Sequence, residues 1–199
     1  MARIVLYMSM SLDGFISGPD DDLDQPLGRD GQRLHHWLRD GGVDPESHRP
    51  SLEPSATVFD EMMATGAVIA GRRTFDLARG WNGDHHDGVP VFVPTHAAPD
   101  GAAPGHVRFV TDGIESCTAQ ARAAAGDRDV MLHGATTAQE SLRRGLLDEM
   151  EIQLVPTLLG RGRRLFDHLR PEHIALKLIR VLQAPDVAHL RYRVLSAGG

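Results

Sequence analysis

Twice in this chain a short run of β-forming residues stops at a glycine and gives way at once to a helical pattern. The first such junction runs from Ala67–Ala70 into Gly71-Arg72-Arg73-Thr74-Phe75. The second runs from Val130-Met131-Leu132 through the turn His133-Gly134-Ala135 into a helix that begins at Thr136. A strand that feeds a helix cannot turn back on itself as a hairpin. The connection has to cross over, and repeated crossovers build a largely parallel sheet with helices packed on its faces. That restricts the chain to α/β architectures before the remaining segments are considered.

The other segments fit the same plan. Residues 4–8 form an apolar run suited to a strand buried on both faces. A serine-capped helix is expected over 55–66, a helix to residue 78, strands at 89–93 and 107–110, and an alanine-rich helix over 114–125. A helix over 136–144 is followed by a strand at 151–156, whose alternation predicts one wetter face. Two closing strands, 174–182 and 189–195, are joined by a turn at Ala184-Pro185-Asp186. The expectation is a single domain over 1–199: a three-layer α/β fold, its central sheet mostly parallel with antiparallel C-terminal edge strands. Residues 19–54, rich in Gly, Pro and Asp, read as a long excursion carrying a short helix at 33–38.

Composition excludes several function classes. A net charge of -6 offers no general attraction to nucleic acid. No apolar run approaches the roughly 20 residues that cross a bilayer, and the N-terminus lacks an export signature, so a cytoplasmic protein with no membrane partner is expected. The only cysteine, Cys117, rules out an internal disulfide and a thiolate zinc site. His35-His36 and His85-His86 do not read as metal ligands, because adjacent side chains on a helix diverge by about 100°. The Arg161-Gly162-Arg163-Arg164 cluster reads as a solvated face or a brace for Asp148-Glu149.

Glycine before a helix lets an anion approach unpaired backbone N–H groups at the positive end of the helix dipole. At the first junction Arg72, Arg73 and Thr74 add phosphate-matching donors; at the second, Thr136 and Thr137 do so. Neither junction has the spaced glycines of the dinucleotide fingerprint or the Gly-Lys-Ser/Thr ending of the phosphate loop.

The order of segments then matters: residues 8–16 (MSMSLDGFI), 71–75 (GRRTF), 91–96 (VFVPTH), 133–135 (HGA), 145–149 (GLLDE) and 156–162 (PTLLGRG). Together they resemble the reductase domain of the bifunctional riboflavin-synthesis deaminase-reductase, within the dihydrofolate reductase superfamily, and the stand-alone bacterial proteins grouped with it. The resemblance implies an NADPH-dependent reductase acting on a small heterocyclic or carbonyl substrate, in a homodimer. It also implies roles. Gly71, Arg72, Arg73 and Thr74 hold the adenosine side of NADPH, with Arg72 on the 2′-phosphate and Thr95 beside it. His133, Gly134, Ala135, Thr136 and Thr137 surround the pyrophosphate, and Ser9 and Ile16 flank the nicotinamide.

Two departures from the family pattern stand out. His133 occupies a position where two glycines are common, and Ser55 falls where dihydrofolate reductases carry a substrate carboxylate, with Glu53 and Asp60 nearby. Folate is therefore not expected as substrate. Asp13 is the candidate proton donor, and Trp37 and Phe59 are candidates for stacking on a flat substrate. The alternatives are 5-amino-6-(5-phosphoribosylamino)uracil reductase and a non-catalytic NADPH-sensing module.

Overall fold

The expected alternation of strand and helix is the first thing the computed structural model displays; it describes residues 2–39, 42, 49–101, 103–169 and 173–195. Part of the 19–54 excursion lies outside the described residues. The strands are β1 (Ile4–Ser11), β2 (Phe15–Ser17), β3 (Ala67–Ala70), β4 (Val91–Pro94), β5 (Val107–Val110), β6 (Val130–His133), β7 (Glu149–Val155), β8 (Arg163–Arg164), β9 (Leu176–Ala184) and β10 (Val187–Val194). The α-helices are α1 (Ser55–Met63), α2 (Arg72–Leu77), α3 (Ile114–Ala125) and α4 (Ala135–Arg143). Eight strands form one sheet in the order β5-β4-β3-β6-β1-β7-β10-β9. The first six run parallel, whereas β10 is antiparallel to β7 and β9 to β10. This is the predicted fold class.

Side-chain alternation divides the core between the two faces of the sheet. Ile4, Leu6, Ile69, Leu132 and Ile152 point to the side covered by α3 and α4. Val5, Tyr7, Val68, Val91 and Met131 point to the other side, with Met62 and Met63 of α1 and Phe75 of α2 packed against them. Ile69 and Leu132 are fully buried, so cutting either to Ala should cost about 2–5 kcal/mol.

Several boundaries differ from expectation for local reasons. The short helix in the excursion is a 3-10 segment, Gly31–Leu38, rather than an α-helix. The fourth strand starts at Val91, just past Pro90, which has no N–H to give to a ladder. The 3-10 segment Arg79–Gly83 carries a left-handed run after α2, with φ of 51, 59, 48 and 53° at Arg79, Gly80, Trp81 and Asn82. β7 begins at Glu149, two residues early, and its polar face is not wet: Glu149, Glu151 and Gln153 are all buried. Arginines make that possible. Glu149 is bonded by Arg3, Arg191 and Arg193, and Glu151 is paired with Arg180 and Arg191, so no carboxylate there lacks a cation. β7 thus has an ionic face and an apolar face, the latter formed by Met150 and Ile152 in the core with Leu154 next along the same side.

Candidate functional site

Because β6 inserts between β3 and β1, the two glycine junctions lie side by side at the carboxyl edge of the sheet. Strand order reverses there, which in open α/β sheets leaves a crevice for ligands. The junctions touch: the Gly71 N–H donates to the His133 carbonyl at 3.0 Å. A Cβ on Gly71 would fall 2.3 Å from Thr137 Oγ1, and one on Gly134 would fall 2.8 Å from Thr74 Oγ1. Gly134 also has φ 99°, a backbone that side-chain-bearing residues rarely adopt. Both turns are shaped so that only glycine fits.

Over this edge opens a cavity of about 1100 Å³. Gly71, Arg72, Arg73 and Thr74 line it from the first junction, with Thr95 beside them at the end of β4. His133, Gly134, Ala135, Thr136 and Thr137 line it from the second. Ser9, Ile16 and Trp37 line it from β1, β2 and the 3-10 segment. The indole N–H of Trp37 donates to Ser9 Oγ at 2.9 Å, fixing both.

The arginines differ. Arg72 Nε bonds Asp76 at 2.9 Å, its Nη1 reaches Thr95 Oγ1 at 3.4 Å, and its guanidinium lies over Phe109. Arg73 is held by the Asp21 carboxylate at 2.6 Å and the Asp21 carbonyl at 2.7 Å, which fastens the excursion to α2. α2 has only six residues, so its dipole is weak and its junction relies on side chains; α4, with nine, offers the stronger N-terminus.

Four expectations need correction. Asp13 does not line the cavity: it accepts hydrogen bonds from Ser11 Oγ and from the Leu159 and Gly160 N–H groups at 2.6, 3.1 and 2.7 Å. Those donors hold its carboxyl below the usual carboxylate range, the reverse of what a proton donor needs. It braces the loop after β1 against the segment after β7. Phe59 is also outside the lining, on the half-buried flank of α1. His133 offers a phosphate no side-chain donor: its Nδ1 hydrogen goes to the Tyr7 carbonyl, while its own carbonyl takes the Gly71 N–H. The Arg161–Arg164 stretch does not brace Asp148-Glu149. Arg164 stacks on Phe15 and donates to the Asp13 carbonyl, while Arg122 holds Asp148.

Among the described residues nothing replaces the substrate carboxylate that dihydrofolate reductases carry. Ser55 is buried against His189, Glu53 bonds Thr57, and Asp60 bonds Arg49. The carboxylates that do line the cavity, Asp21 and Glu140, are tied to arginines.

Sequence reasoning missed the remaining wall: Tyr7, His35, Met62, Trp81, His85 and Gln153. They come from five separate stretches of the chain, Trp81 and His85 sharing the turn after α2, so no local pattern joins them. The His85 ring stacks on His133, with centroids 5.4 Å apart, and Trp81 lies 4.6 Å from His85. Burial pushes His133 and His35 down to about 4 and His85 to about 2, so all three are neutral imidazoles at pH 7. Among the described residues no group of three or more His, Cys, Asp or Glu is placed to hold a metal, and no helix is long and apolar enough to cross a membrane.

The RibD C-terminal domain family matches residues 2–190. YwjB of Bacillus subtilis (strain 168) is 25% identical over 197 residues, covering 96% of this chain and 97% of its own. YyaP of the same organism is 24% identical over 192 residues, covering 89% and 86%. Among solved structures, a Shewanella sp. PV-4 protein named for riboflavin biosynthesis superposes with a TM-score of 0.72 at 23% identity, over 98% of this chain and 100% of that one. A diaminohydroxyphosphoribosylaminopyrimidine deaminase/5-amino-6-(5-phosphoribosylamino)uracil reductase of Thermotoga maritima superposes at 0.64 with 15% identity, over 98% of this chain and 57% of that one. With nearly its whole length matched, the chain belongs to the RibD C-terminal domain family.

Proposed function

We propose that this protein is an NADPH-dependent reductase of a small heterocyclic or carbonyl substrate, acting in the cytoplasm. The observation that carries the reading is the pair of glycine turns packed against each other beneath one cavity, close enough for a single diphosphate to lie across both.

The residues fit the coenzyme. The absence of a Cβ at Gly71 and Gly134 leaves backbone within reach of a diphosphate, and Thr136 and Thr137 add donors at the N-terminus of α4. Arg72, steered by Asp76 and Thr95, takes the 2′-phosphate. Ser9 and Ile16 bound the nicotinamide. NADPH, when bound, supplies the hydride; the chain supplies position and a dry wall. Trp37, Leu38 and Met62 exclude water from that wall.

The test is direct: adding the protein to NADPH should shift or quench nicotinamide fluorescence, and no response at submillimolar NADPH would end the proposal. Arg72→Ala should weaken NADPH more than NADH by about 1.5–3 kcal/mol, the worth of one charge-assisted bond. Equal losses would remove Arg72 from the 2′-phosphate.

Family membership and the names of the structural neighbours favour a second reading, 5-amino-6-(5-phosphoribosylamino)uracil reductase. Rescue of a riboflavin auxotroph lacking that step would establish it. NADPH binding without turnover across carbonyls, pterins and pyrimidines would assign a sensor instead. We also propose a homodimer through β9. This edge strand exposes Leu176, Leu178, Ile179 and Val181, a long apolar edge of the kind that pairing with a second copy covers. A monomer by light scattering at micromolar concentration would refute it.

A further inference from the structure

We infer that His85 and His133 are the substrate-reading residues of this cavity: two bare imidazole Nε2 atoms that select an uncharged planar ligand offering N–H or O–H donors. The inference takes from the reductase reading only what happens to the ligand afterwards; the recognition stands on the hydrogen bonds themselves.

Those bonds fix both tautomers. The Tyr7 carbonyl can only accept, so His133 Nδ1, 2.9 Å away, carries the hydrogen and Nε2 of the neutral ring carries a lone pair. For His85 the hydrogen-bond chain runs through one more residue, His86. His86 Nε2 lies 3.3 Å from the Thr65 carbonyl, so it carries the hydrogen. The Thr65 hydroxyl, 3.4 Å from the same atom, already donates to the Met62 carbonyl and can only accept there as well. His86 Nδ1 is therefore bare and must accept from His85 Nδ1–H across 2.8 Å. That leaves His85 Nε2 as a second lone pair. Neither Nε2 has a protein partner among the described residues, and neither is sealed from solvent, while both rings line the cavity.

The same wall is aromatic, with the Trp81 ring tilted 58° to that of His85. His85 and His133 stack within 26° of parallel, and the Trp81 indole lies within 32° of His133. Trp81 reaches that position from the left-handed run Arg79–Asn82, a backbone that costs about 1–2 kcal/mol per side-chain-bearing residue. Strain of that kind survives where the surroundings hold it, as the Phe75 ring does, 2.8 Å from where a Gly80 Cβ would sit.

Charge is absent from this wall. The cavity's arginines are paired elsewhere: Arg72 with Asp76, Arg73 and Arg163 with Asp21, Arg144 with Glu115 and Glu140. Burial keeps both rings neutral near pH 7. Apart from Arg72, assigned above to the coenzyme phosphate, the cavity's arginines are thus committed to carboxylates, and a ligand's own phosphate or carboxylate finds no further cation beside the histidines.

The probe is 2-aminopurine, a fluorescent, uncharged, flat donor whose emission is quenched on stacking. Saturable quenching is expected with the wild type, without NADPH present. The same ring without N–H groups, 9-methyl-2-dimethylaminopurine, and the charged 2-aminopurine riboside 5′-phosphate should each bind at least about tenfold more weakly, the loss of one or two buried hydrogen bonds. His85→Phe keeps a ring and removes the lone pair. It should weaken 2-aminopurine about tenfold while NADPH affinity stays within about twofold. Equal binding of the three purines to the wild type, or no saturable quenching up to about 1 mM, would overturn the inference even if His85→Phe failed to fold. A selective purine site in a protein that ignores NADPH would end the coenzyme reading and leave this one standing.

Discussion

The two walls of the cavity are made of different materials. Along the Gly71 and Gly134 turns the wall is backbone, and what matters is what is missing: a Cβ at either position would collide with a threonine hydroxyl of the other junction. Along the Trp81, His85 and His133 side the wall is side chain, and its chemistry lies in which nitrogen carries a hydrogen. A backbone wall is specified by conformation, so it tolerates few substitutions and suits a ligand that does not change. A side-chain wall hangs on a finished scaffold, and its residues can be exchanged without disturbing the sheet.

The contrast breaks most visibly at Gly134. Gly134→Val places a branched side chain at φ 99° against Thr74 and should cost roughly 2–4 kcal/mol and abolish the NADPH fluorescence response. Thermal unfolding and titration measure the two effects, and a stable variant that still bound NADPH would show the wall to be adaptable.

A smaller effect concerns acid. His133, His35 and His85 have folded pKa values lowered by burial, so the unfolded chain takes up protons first. Their contribution is intact above about 6.5 and is lost as pH falls toward about 4. Urea unfolding across that range should show stability declining, and His133→Phe should make the decline shallower. Parallel curves would mean the His133 ring is not held neutral by its surroundings.

The smallest change is expected at Asp13, outside both walls. Asp13→Asn weakens the acceptors for the Leu159 and Gly160 amides and should lower the melting temperature slightly, leaving NADPH and 2-aminopurine affinities unchanged. A change in either affinity would return Asp13 to the site.

The difference in material also explains what the sequence made legible. A glycine between a strand and a helix is a local signal, so both junctions and the parallel sheet could be read from adjacent residues, whereas Thr95 beside Arg72 came only from the family resemblance. The histidine wall has no such signal: His85 and His133 are 48 positions apart by number and meet only because β6 ends beside the turn after α2. Asp13 misled because Asp-Gly is the same dipeptide whether it braces a loop or serves a substrate. On β7 the alternation was legible, but its meaning was inverted, since the arginines that bury Glu149 and Glu151 come from residues 3, 180, 191 and 193.

That strand has a consequence for how such a protein can change over time. With Glu149, Glu151 and Gln153 on one side and Met150 and Ile152 on the other, exchange at any single site perturbs one side only. A one-residue insertion or deletion inside β7 would instead transpose every position beyond it, thrusting carboxylates among Leu6 and Leu132 and methionine among arginines. Such a shift in length is accommodated far more readily in the connections at the rim of the sheet than inside β7.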